Sequence, residues 1–166
     1  MFRFVSQYLN FLKPVPGAAL VFDAWLRIAT LFTHPEVSRY IDHIESEVCG
    51  WHNIRVSIHK YGGLQFNYAS RQLGHIHGNG LLDMLFTREI KQQLMTVDER
   101  IKHHHVFKNN GWISFYIETE ADAAYVIELF KMAYEGCRNK ENAKPYAASP
   151  LVSNPSFFPP FHLQTW

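Results

Sequence analysis

Apolar residues recur at helical spacing through the first fifty positions and at strand spacing after Gly50, and that change of period organises the chain. Phe2, Val5, Leu9 and Leu12 step by three and four, which predicts a helix that Pro14-Val15-Pro16-Gly17 stops. In the next segment Asp23, Arg27 and Thr30 form one narrow polar stripe, while Val21, Phe22, Trp25, Ile28, Leu31 and Phe32 are apolar. A helix with so wide an oily face is expected to lie buried against its own sheet; a membrane-surface helix and an oligomer interface are the alternatives. Thr33, Pro35 and Glu36 read as a capping-box opening, and Val37, Tyr40, Ile41, Ile44 and Val48 mark a third helix ending near Gly50.

Beyond Gly50, Ile54, Val56 and Ile58 alternate with Arg55, Ser57 and His59, and Tyr61-Gly62-Gly63 turns the chain into Leu64 to Tyr68, a β-hairpin pattern. Leu73 to His77 and Leu81 to Phe86 read as two more strands around a Gly78-Asn79-Gly80 turn. Thr87 can cap a short helix through Leu94, and Gly111 to Ile117 is a fifth strand. Thr119 with Asp122 caps a last helix whose Ala123, Ile127, Phe130 and Tyr134 line one face before Gly136 closes it. Helices, then a strand run, then helix, strand and helix predict an α+β fold: N-terminal helices followed by a mainly antiparallel sheet of about five strands with two further helices. From Arg138 the prolines and serines predict irregular chain, so residues 1–137 read as the domain and 138–166 as a Pro-rich tail. Phe157, Phe158, Phe161 and Trp166 are expected to dock that tail on the domain or on a second copy.

The chain has 166 residues, enough for one domain with a sizeable core, and 47% of them are hydrophobic, which excludes a disordered chain. Sixteen basic against fifteen acidic residues leave a net charge of +1 and no global field to hold a polyanion. Nucleic acid is therefore not the expected partner; Arg88, Lys91, Lys102 and Lys108 make at most a small local patch. Cys49 and Cys137 show no metal spacing and read as reduced packing thiols, which suits the cytoplasm. No secretory leader pattern is expected at the start, and the apolar run from Ala18 to Phe32 falls short of the roughly 20 residues a membrane span needs.

Ten histidines are the unusual component. On a strand, His75 and His77 point to the same face, so two imidazoles can converge on one ion or ligand. Asp83 follows across a turn, and His103-His104-His105 precedes the Gly111 strand. Such donors satisfy the protein side of a zinc site or an open iron site. His75, His77, Asp83, His104, His105 and the Trp112 wall are thus the candidate ligand-binding set, and His75 and His77 the candidate metal ligands. Neighbouring histidines alternate faces in extended chain, so at most two of the three join His75 and His77; His104 and His105 are preferred. A metal site for a divalent ion, a metal-free polar pocket and a structural network all stay open. A cupin pattern fails, because Leu81 and Leu82 stand where its Glu belongs, and phosphate-loop, dinucleotide and nucleophile-elbow motifs are missing from the sequence.

The string Leu73-Gly-His-Ile-His-Gly-Asn-Gly-Leu-Leu-Asp83, with Arg88, His104-His105-Val106, Gly111-Trp112-Ile-Ser114 and a helix ending Phe130-Lys-Met-Ala-Tyr134, resembles the luciferase domain family of small bacterial and fungal proteins. The Lys60-Tyr-Gly-Gly63 turn and Thr33-His-Pro-Glu36 extend the likeness over roughly residues 1 to 136. It implies the α+β domain and not light emission; Gly78 stands where the family often has Ser or Asp. The order of elements in the second half is also similar to the YjbR-like small domains. Two functions follow as expectations. One is a pocket for a small ligand or metal built on the histidines. The other is an interaction module in which the Ala18–Phe32 helix and the aromatic tail meet a partner, a second protomer or a membrane surface while the histidines brace the sheet.

Overall fold

A computed structural model describes residues 18–142. The helix expected over residues 2–12 and the tail beyond residue 142 lie outside the described residues. Within them the chain forms α1 (Ala18–Thr33), α2 (Pro35–Cys49), β1 (Ile54–Ile58), β2 (Leu64–Tyr68), β3 (Arg71–Ile76), β4 (Leu81–Leu85), α3 (Arg88–Val97), β5 (Lys102–His103), β6 (Trp112–Tyr116) and α4 (Glu120–Asn142). The α+β expectation holds. The strands make one antiparallel sheet in the order β1-β2-β3-β4-β6-β5. Its sixth member, β5, is two residues long and pairs with Ser114 and Ile113, too short a stretch for alternation to reveal.

The register sorts the two faces. Ile76, Leu82 and Phe115 stand opposite one another across three strands, as do Gly74, Met84 and Ile113. With Phe66 they build the core against Val37, Ile41, Ile44 and Val48 of α2 and Val126, Leu129 and Phe130 of α4. One residue along, His75, Asp83 and Ser114 are aligned on the other side of the same strands, because successive side chains point to opposite faces. An oily layer therefore backs a polar row.

Three local expectations are corrected. Two members of the α1 polar stripe face inward: Asp23 and Thr30 are buried while Arg27 between them stays exposed, and Val21, Trp25, Ile28, Leu31 and Phe32 are exposed as well, Phe32 to 84%. The reason is hydrogen bonding and close approach. Asp23 finds partners at His77 and Gly78, and the helix presses so near the strand turns that a Cβ on Gly62 would strike Asp23 and one on Gly78 would strike Arg27. The capping box at Thr33 does not form: His34 is the N-cap without a side-chain bond, and Thr33 Oγ1 donates back to Ala29 O at 2.9 Å. The third correction concerns α4, which passes through Gly136 and Arg138 to Asn142. Gly136 keeps ordinary helical backbone there, and the Tyr68 hydroxyl donates to Glu141, tying the last turns to the sheet.

Two caps form as the sequence indicates. Thr87 Oγ1 accepts from Ile90 N–H at 3.3 Å, and Thr119 and Asp122 exchange bonds at the start of α4. Core packing supplies the larger share of stability. Phe66 is sealed from solvent and meets the Phe130 ring at 4.7 Å between centroids. Phe66→Ala is expected to cost about 3–5 kcal/mol, read from urea unfolding midpoints with an unchanged slope.

Candidate metal centre

The register places Asp83 beside His75 and Ser114, and the turn after β3 brings His77 to the same side. Ser114 Oγ–H donates to Asp83 Oδ1. Oδ2 faces three imidazoles: His75 Nε2 at 3.5 Å, His104 Nε2 at 3.5 Å and His77 Nε2 at 3.7 Å. All four side chains are buried, Asp83 to 1% exposure. Asp83 Oδ2 is nevertheless the one buried polar side-chain atom among the described residues without a hydrogen-bond partner. Its ion-pair contacts there are all with histidines.

The far nitrogens of the rings decide what each near nitrogen can do. His77 Nδ1 lies 3.2 Å from Asp23 Oδ1, which also accepts from Gly78 N–H. Donation from Nδ1–H to that carboxylate directs the Nε2 lone pair toward Asp83, the second-shell arrangement common at metal-bound histidines. His75 Nδ1 is 2.9 Å from the Gln72 amide nitrogen. Turning that amide over exchanges N for O at nearly the same shape, so Nδ1–H can donate to Gln72 and free Nε2 for an ion. His104 differs. Its Nδ1 accepts from both Val106 N–H and Phe107 N–H at 3.1 Å, so the neutral ring carries its proton on Nε2, turned toward Asp83. His104 fits the centre as an N–H donor, and His75, His77 and Asp83 fit it as ligands; one donor atom from each of these three lies within 4.8 Å of the others.

Burial and charge oppose each other here. Burial pushes the Asp83 carboxyl up, but the neighbouring His75 imidazole, the Ser114 hydroxyl and His104 outweigh it and hold the group below its usual value. Asp23 behaves alike: burial raises it, and His77 and Gly78 bring it below normal. Burial lowers His104 to about 4, against the pull of Asp83. His59, which residue alternation had placed only on the polar side of its strand, is buried and stacks on His75 with ring centroids 3.9 Å apart. Burial and the neighbouring histidines lower it, too, to about 4.

Four of the six expected site residues meet at Asp83: His75, His77, His104 and Asp83 itself. Trp112 walls the group, 5.7 Å from the His75 ring and 5.8 Å from that of His104. His105 stacks on His104 at 4.5 Å but is itself exposed. Asp23, His59, Gln72 and Ser114 were not foreseen. A lone acid within the apolar α1 pattern was the available signal for Asp23; the others needed the strand register. A cavity of about 20 Å³ borders His77, Asp23 and Gly78, water-sized and far below the roughly 300 Å³ at which ligand pockets begin.

The fold and cluster define a small α+β domain with a buried histidine–carboxylate centre. Residues 70–133 match the family model described as the luciferase domain, so the resemblance drawn from the sequence stands over that stretch. It spans β3 to most of α4 and includes every residue of the cluster except Asp23 and His59. The likeness to YjbR-like domains is not part of that match. No curated protein and no solved structure matches the chain.

Both lowered histidines give the fold the same pH dependence. Unfolded, each ring takes up its proton near pH 6.5; folded, it stays neutral to about 4, so between these values the unfolded chain binds more protons. Stability is therefore expected to be level above about pH 6.5 and to fall steadily toward pH 4. Urea midpoints across that range will show the slope, and His59→Asn should make it shallower.

Proposed function

We propose that the protein is a metal-binding domain in which His75, His77 and Asp83 hold a divalent first-row ion. The observation that carries the reading is the orphaned Asp83 Oδ2. A carboxylate buried in the middle of a sheet without Lys, Arg or a hydrogen bond to that oxygen is costly unless a cation meets it. The spacing suits one. Ligands about 2.1 Å from a tetrahedral zinc stand about 3.4 Å from one another, near the 3.5 and 3.7 Å that separate Asp83 Oδ2 from the Nε2 atoms of His75 and His77. Two imidazoles and one carboxylate, with remaining positions open, suit zinc or ferrous iron. Such an ion would act as a Lewis acid or lower the pKa of a bound water, while His104 N–H faces the same space.

Elemental analysis of purified protein is expected to find near-stoichiometric metal, with His77→Ala and Asp83→Asn each reducing it to background. Asp23→Asn, which keeps shape but weakens the support of His77, should lower affinity about 10–100-fold. Protein that is metal-free, takes up neither zinc nor cobalt and is indifferent to chelators would return the cluster to a structural network.

A second reading rests on α1. Its outward face presents Val21, Trp25, Ile28, Leu31 and Phe32 together, the kind of contiguous apolar patch that marks an association surface. No helix among the described residues is long and apolar enough to cross a membrane. Self-association in sedimentation velocity, or flotation with lipid vesicles, is expected and should be lost in Trp25→Glu/Ile28→Glu. A monomer that does not float would remove this reading and leave the metal centre untouched.

A further inference from the structure

A surface cleft of about 500 Å³ lies beside the centre, within the size range of small-molecule sites. Arg88, His105, Phe107, Lys108 and the Asn109-Asn110 turn form most of its wall, and no carboxylate lines it. Glu89 neighbours Arg88 but stands outside that lining. The loop from His104 to Asn110 is held in place from below. Lys91 is 4% exposed, and its ammonium donates to Lys108 O and Asn110 O, both at 2.9 Å. Those partners are uncharged carbonyls, so a buried positive charge sits directly behind a wall that already carries two exposed cations. The charges of Arg88, Lys108 and Lys91 thus add within one concave surface, where low-dielectric walls strengthen the field. Val106 and Phe107 supply exposed apolar area next to them.

The cleft also adjoins the buried cluster through one ring. Phe107 stacks on His104 at 5.1 Å and His105 stacks on it at 4.5 Å, while His104 Nε2 reaches Asp83 at 3.5 Å. We propose that this cleft binds a small organic anion, its charged group met by Arg88 and Lys108 and its apolar body lying against Val106 and Phe107, one imidazole away from Asp83. The binding itself is independent of the metal reading; only the nearness to an ion rests on it.

Benzoate, with benzyl alcohol as its neutral counterpart, tests this on the full chain. In chelator-treated ¹⁵N-labelled protein, benzoate is expected to shift the amide signals of residues 105–110 saturably. Arg88→Gln/Lys108→Gln should weaken it at least about tenfold, and benzyl alcohol should bind at least about tenfold more weakly than benzoate, each tenfold being about 1.4 kcal/mol. Both substituted side chains are exposed, so the variant should keep the wild-type spectrum elsewhere. Absence of saturable shifts, equal response to the two probes, or no effect of the double substitution would overturn the proposal. In cobalt-loaded protein, benzoate should then also change the visible absorption of the ion. If no cobalt binds, the metal reading fails while the anion result in metal-free protein stands by itself.

Discussion

One carboxylate, buried at the middle of an antiparallel sheet, sets the terms for the structure around it. Asp83 lies on β4 between β3 and β6, and the cost of removing its charge from water falls on whatever surrounds it. Ser114 satisfies one oxygen and three imidazoles surround the other at distances too long for ordinary hydrogen bonds. Second-layer contacts then orient those rings. Gln72 and Asp23 each hold one far nitrogen and two backbone amides hold the third, so the near nitrogens all turn toward Asp83 Oδ2.

The rest of the fold makes that convergence rigid. Because side chains alternate across a sheet, the strands that present His75, Asp83 and Ser114 on one side present Ile76, Leu82 and Phe115 on the other. The apolar side, packed by α2 and α4, fixes strand register, and register in turn fixes which polar groups face each other. A slip of one residue would place Asp83 in the oily layer. Packing on one face thereby specifies chemistry on the other.

The first described helix joins these two levels in an unusual way. α1 contributes Asp23 to the histidine cluster and settles against glycines at both turns, Gly62 and Gly78, where any larger residue would hold it off. Two of its three stripe residues, Asp23 and Thr30, are thus buried inside the domain, and most of its large apolar residues remain outside. The site and the exposed apolar surface are opposite faces of one element.

Much of this was legible in the chain itself. The change of hydrophobic period at Gly50 separated helices from sheet, Thr87 and Thr119 marked two helix starts, and the His75-Ile76-His77 spacing named two rings of the cluster, because these signals are local. Asp83 and His104 could be nominated but not joined. The inward turn of α1, the arrival of Asp23 and His59, the proton position on His104 and the separation of His105 into a different cleft were decided only in three dimensions. Each depends on partners 16 or more residues away, or on a backbone bond that no periodicity encodes. Sequence determined which groups could do chemistry and which face of a strand they share; tertiary structure decided which of them meet, since a hydrogen bond or a coordination shell requires atoms to be a few ångströms apart and spacing along a chain does not set distance in space.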